Sequence, residues 1–126
     1  MPHDISINTI IGENTFIKGE IKINGTLRID GGFLGNISSQ GRVYIGKNGK
    51  VEGELFSKII TVGGVVKGNL YADGKVDILK TAQIYGNIFT SSINISDGVI
   101  FDGDCRVLTA KEMSELMIAK KKELNI

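Results

Sequence analysis

Val51-Glu52-Gly53-Glu54-Leu55 is an apolar-x-Gly-x-apolar pentapeptide that the chain carries in six copies. The others are Ile17-Lys18-Gly19-Glu20-Ile21, Phe33-Leu34-Gly35-Asn36-Ile37, Val66-Lys67-Gly68-Asn69-Leu70, Ile84-Tyr85-Gly86-Asn87-Ile88 and Phe101-Asp102-Gly103-Asp104-Cys105. Self-similarity at a fixed period decides the architecture before any single motif can be interpreted. From one central Gly to the next the steps are 16, 18, 15, 18 and 17 residues.

A second apolar pair follows each pentapeptide: Leu27/Ile29, Val43/Ile45, Ile60/Val62, Val76/Ile78 and Ile93/Ile95. Each is apolar-x-apolar, the period-two signature of a short half-buried strand. The variation in repeat length is confined to two places, which therefore read as corners. Asn24-Gly25, Gln40-Gly41 and Asp73-Gly74 mark one, and Asp30-Gly31-Gly32, Gly46-Lys47-Asn48-Gly49, Gly63-Gly64 and Asp97-Gly98 mark the other. Asn and Asp before Gly suit sharp bends.

Such a repeat buries its apolar side either as successive antiparallel hairpins or by coiling each turn over the last. Coiling is favoured because equivalent slots carry equivalent residues. Ile21, Ile37, Leu55, Leu70, Ile88 and Cys105 would form one interior column, and Ile29, Ile45, Val62, Ile78 and Ile95 another. Parallel in-register stacking sets like on like, and β-branched side chains suit that surface. Outward neighbours stay compatible too, as with Glu52 beneath Lys67. At ~4.8 Å per rung, a coil of this length is a rod roughly 25 to 30 Å long. An incomplete rung precedes the first, since Ile11 to Ile17 matches Ile45 to Val51 in length and in its apolar-Gly start. The coil is expected to begin near Thr9 or Ile10.

After Val107 the pattern changes. Thr109-Ala110-Lys111-Glu112 is a capping box, and Ala110, Met113, Leu116, Met117 and Leu124 form an apolar stripe at helical spacing. Acidic residues come early and Lys120-Lys121-Lys122 late, complementing the helix dipole. The spacing predicts a helix over 110–124. The plain role for its stripe is to fold back over the open last rung or a side of the rod. The alternatives are a partner-binding helix or a membrane-surface contact, for which so short a stripe is marginal.

Composition narrows the function classes. The 126 residues make one domain at most, with 17 Gly and 1 Pro. A net charge of +1 argues against a nucleic-acid surface. A lone cysteine cannot form an internal disulfide and fits a reducing cytoplasm. Residues 1–5 hold no signal-like run, and no later stretch approaches the ~18 apolar residues of a membrane span, so a soluble cytoplasmic chain is expected.

Candidate chemistry is sparse, and no catalytic, cofactor or metal residues are assigned. His3 stands alone near the start. Cys105 occupies a column of Ile and Leu, which reads as a buried small hydrophobe without a partner base. Asp102 and Asp104 flank Gly103 as solvated rung charges, with no further ligands aligned. Gly63-Gly64 lacks the Lys-Ser/Thr ending of a phosphate loop. Phe16, Phe33, Phe56, Tyr71 and Phe89 lie in or beside core slots, where they suit packing rather than base stacking.

Thr9-Ile10-Ile11-Gly12-Glu13-Asn14-Thr15-Phe16-Ile17-Lys18-Gly19, then Leu27-Arg28-Ile29-Asp30-Gly31 and Gly35-Asn36-Ile37, with rungs continuing to Phe101-Asp102-Gly103, resemble the bactofilin family across about residues 9 to 107. The resemblance implies an all-β, right-handed, three-faced parallel β-helix of about six rungs, with the short C-terminal helix added here. It implies a bacterial cytoskeletal scaffold that polymerises end to end, without nucleotide, into filaments lacking polarity. Such scaffolds work at the inner face of the cytoplasmic membrane in cell shape, wall growth or motility, with cell-wall or membrane-associated clients. The division expected is a tail over 1–8, the β-helix over 9–107 and a helical tail over 108–126.

A bare solenoid end favours self-association, because its unpaired backbone and apolar slots form an edge that soluble proteins normally cap. Ile7, Ile10 and Ile11 at one end and Phe101, Cys105 and Val107 at the other are the expected contacts. Phe101 matches a last-rung Phe important for polymerisation in the family. Family members carry disordered tails and often an apolar N-terminal targeting segment. The short N-terminal tail and helical C-terminus depart from this and weigh against direct membrane binding. A helix over the last rung would also limit filament growth. Two alternatives stand beside this reading. One is a hexapeptide-repeat β-helix acyltransferase, suggested by Ile11, Ile17, Ile23 and Ile29 but contradicted by Gly35, Gly41 and Lys47 in the same register. The other is a monomeric solenoid adaptor.

Overall fold

A computed structural model describes residues 7–126. Its strands are β1 (Ile7–Ile11), β2 (Phe16–Ile23), β3 (Thr26–Ile29), β4 (Gly32–Ser39), β5 (Arg42–Ile45), β6 (Lys50–Glu52), β7 (Leu55–Val62), β8 (Val65–Lys67), β9 (Leu70–Ile78), β10 (Gln83–Tyr85), β11 (Ile88–Thr90), β12 (Ile93–Ile95), β13 (Ile100–Asp102) and β14 (Cys105–Val107), followed by α1 (Ala110–Leu124). The strand pairs are parallel, so the chain coils and does not form hairpins.

Each turn supplies three extended segments, and stacking turns gives three faces. The first face runs through 16–18, 32–34, 50–52, 65–67, 83–85 and 100–102. The second runs through 21–23, 37–39, 55–57, 70–72, 88–90 and 105–107. The third begins with β1 and continues through 26–29, 42–45, 59–62, 75–78 and 93–95. Both expected columns form in register: Ile21, Ile37, Leu55, Leu70, Ile88 and Cys105 on the second face, and Ile29, Ile45, Val62, Ile78 and Ile95 on the third, which Ile11 of β1 extends by one level. Phe33, Val51, Val66 and Ile84 fill the interior of the first face. This continuous apolar axis is the main source of stability, since a single turn has nothing to pack against.

The central Gly of the pentapeptide permits that spacing. Gly53 has φ 141°, a conformation L side chains avoid, and a Cβ there would lie 1.8 Å from the carbonyl oxygen of Gly35 on the turn below. The backbones meet at this corner with no room for a side chain. Hydroxyls tie the corner between the second and third faces. Ser39 Oγ donates to Gly25 O at 2.7 Å, and Ser57 Oγ to Gly41 O at 2.9 Å.

Thr109 caps α1 through the expected box: its Oγ1 accepts from Glu112 N, and Glu112 Oε1 accepts from Thr109 N. Those bonds favour the carboxylate and hold the Glu112 pKa below its ordinary value. The helix lies along the second face and does not cover an end. It covers an outward stack of Phe56, Tyr71 and Phe89, with ring centroids 4.5 and 5.2 Å apart. Met113 and Met117 are buried on this stack, with Leu116 and Leu124 beside them. Ala110 is a correction to the stripe, being exposed in the first turn and outside the contact. Asn125 and Ile126 reach Glu20, Lys22 and Ser38 on the first turns, so the helix runs back along most of the rod.

Candidate self-assembly surfaces

With the helix on one side, both ends of the coil are open among the described residues. At the C-terminal end β12, β13 and β14 each pair with a single neighbouring turn, leaving one strand edge unpaired among the described residues. At the N-terminal end β1 and β2 do the same. Unpaired N–H and C=O groups along such an edge are donors and acceptors awaiting another strand.

The side chains at these edges are apolar. On the last turn Val107 is 61% exposed, Ile100 51% and Ile95 50%, while Phe101 and Ile93 pack partly onto the core below. On the first turn Ile17, Ile21 and Ile23 are half covered, and Phe16 is 67% exposed at the margin. Each column therefore ends in a residue packed on one side only.

The expected contact residues divide when placed on this geometry. Phe101, Cys105 and Val107 stand at the open last turn. Cys105 is exposed and not the buried hydrophobe its column suggests, because no turn follows to cover it. Partial burial raises its thiol pKa, which disfavours the thiolate. Ile11 is already in the core at 2% exposure, and Ile10 faces outward beside Arg28 instead of along the rod. Ile7 opens β1, but its side chain lies outside the described residues, as does His3. Ile17, Ile21, Ile23 and Ile95 end the interior rows at the two ends and were missed. Their signal was available, because each is the first or last member of a stacked row.

The other candidates resolve as structure. Gly64 sits at a tight corner, where a Cβ would lie 2.3 Å from Gly49 O, so Gly63-Gly64 offers no cradle for a phosphate. Asp102 and Asp104 are exposed either side of Gly103. Glu54 ties successive turns together, accepting from Asn69 N and Nδ2 at 3.0 Å each and from the Tyr71 hydroxyl at 3.3 Å. Burial, and then the Glu54 charge, push the Tyr71 pKa well above the ordinary tyrosine range. No helix among the described residues is long and apolar enough to cross a membrane.

The family model of the polymer-forming cytoskeletal bactofilins matches residues 9–106. This chain belongs to the bactofilin family. Among solved structures it is similar to the Thermus thermophilus bactofilin reconstructed by cryo-EM as double helical filaments. The two share 30% identity with a TM-score of 0.74, over 79% of this chain and 99% of that one. No curated protein matches it. As a bactofilin it is a polymer-forming cytoskeletal protein.

Proposed function

We propose that this bactofilin is a cytoplasmic scaffold whose protomers join end to end through their terminal turns, without nucleotide. The filaments would lack polarity and support cell shape, wall organisation or motility from the inner face of the membrane. The observation that carries this reading is the pair of bare end turns, each with an unpaired strand edge and one-sided apolar residues. Such ends bury area and satisfy backbone groups only when another protomer continues the stack. No bound group is needed to create the joint, which is why nucleotide has no part in the proposal.

Phe101→Arg and Val107→Asp test it. Each puts an unpaired charge into the joint, at a cost of about 3–5 kcal/mol, or a roughly 100- to 4,000-fold weaker contact. Val107 is largely exposed in the protomer, so its replacement spares the fold. Filaments of the native protein that fall to protomers or dimers in both variants are the expected result. Undiminished filaments in both would move the joint elsewhere.

A further inference from the structure

Two rows of side chains point outward from the first face, and the order of the first along the rod is self-complementary when reversed, while the second matches at its apolar ends and sets Lys50 beside Val65 at its middle. One row reads Lys18, Leu34, Glu52, Lys67, Tyr85, Asp102, in unbroken register. The other reads Phe16, Gly32, Lys50, Val65, Gln83, Ile100. A two-fold axis parallel to the strands, passing between the levels of Glu52 and Lys67, lays this face on that of a second copy with the turns in opposite order. Lys18 then meets Asp102, Leu34 meets Tyr85, Glu52 meets Lys67 and Phe16 meets Ile100, each pair occurring twice.

We propose that the first face is the lateral contact between two antiparallel copies of this rod, resting on the end-to-end polymer proposed above. Three observations support a second copy as the occupant. The charges are complementary, and Lys18, Glu52, Lys67 and Asp102 have no ion-pair partner among the described residues of their own chain. Of the remaining faces, α1 covers the second, and on the third Arg28 pairs with Asp30 and Lys75 with Asp77 within the chain. The antiparallel arrangement is also selected over the parallel one. An axis along the rod would exchange the two rows, keeping one kind of charge pair, Lys50 against Glu52, where the antiparallel arrangement has two, and setting Phe16 against Lys18, Val65 against Lys67 and Ile100 against Asp102.

The footprint sets when the contact operates. Six levels at ~4.8 Å and a width of three residues give roughly 300 Å² per copy, far below the ~800 Å² per partner of a stable interface. Isolated protomers do not pair through it. Two filaments repeat the contact at every protomer, so it acts through multivalency. Because its specificity rests on ion pairs, it is screened by salt, whereas the apolar end joints are not.

Electron microscopy of native and variant filaments tests the assignment. The native protein is expected to form paired filaments that separate into single ones in high salt. Lys67→Glu should give single filaments of normal length, and Glu52→Lys with Lys67→Glu should restore pairing. Leu34→Lys and Tyr85→Glu should each abolish pairing and together restore it. These residues are three turns, or roughly 14 Å, apart in one chain, so coupling between them arises across copies. Pairing that survives the single variants, or is not restored in the double ones, overturns the inference. Native filaments that are all single overturn it while leaving the end joints intact. A native protein without filaments instead removes the polymer reading on which it rests.

Discussion

Replacing Gly53 by Ala isolates the contact that sets the rung spacing. A Cβ at this position would lie 1.8 Å from Gly35 O, and real Cβ atoms essentially never come within 3.0 Å of such a neighbour. The turns must separate locally by more than an ångström. That movement strains the bonds that cross the same gap, from Ile37 N–H to Glu54 O at 2.9 Å and from Glu54 N–H to Asn36 Oδ1 at 3.4 Å. Two weakened bonds at ~1 kcal/mol each, with about 1–3 kcal/mol for a non-Gly residue at this φ, give a loss near 3–5 kcal/mol. Gly19→Ala is the matched control. Its φ is 149°, but nothing among the described residues lies within 4 Å of its Cβ position, so the protomer bears only the backbone strain. Thermal and denaturant unfolding on an assembly-blocked background should place Gly53→Ala about 2 kcal/mol below Gly19→Ala. Equal losses, or a Gly53→Ala protein as stable as the native one, would refute close backbone approach as the reason for the repeated Gly.

Met113→Asp with Met117→Asp should detach α1 and uncover the Phe56, Tyr71 and Phe89 stack, so lateral clumping should increase in light scattering. Filament elongation should be unchanged, because the helix leaves both ends free; faster growth would restore the end-cap reading. The raised Tyr71 pKa sets an alkaline limit. The unfolded phenol ionises near pH ~10 while the folded one stays neutral. The contribution is therefore complete below that pH and declines as pH rises through it. Tyr71→Phe should flatten this part of the stability profile, and an unchanged alkaline decline would contradict the assignment.

The interior was legible because inward residues repeat at one turn's spacing and alternate within each strand. Ile29, Ile45, Val62 and Ile78 could be placed in one column from the sequence alone, and α1 was placed from its capping box and stripe. Its docking face was harder to see. Leu55-Phe56, Leu70-Tyr71 and Ile88-Phe89 each put an apolar residue in an outward slot, breaking alternation at three successive turns. That outward aromatic row is the mark of a covered face. The ends failed for a different physical reason: a column's chemistry says what belongs inside, but exposure depends on whether another turn follows. Cys105 shares its slot with Ile88 and is open only because it comes last. Ile10 and Ile11 differ by parity, so one points outward and the other into the core. Ser39 and Ser57 occupy inward slots because their hydroxyls reach corner carbonyls, a geometry that hydropathy does not encode.

Negative-stain microscopy of the purified protein, without nucleotide or metal and across a range of concentration, tests end-to-end assembly most directly. The account predicts filaments that sediment, with a protomer repeat close to the rod's length. A monodisperse protomer at every concentration would contradict it.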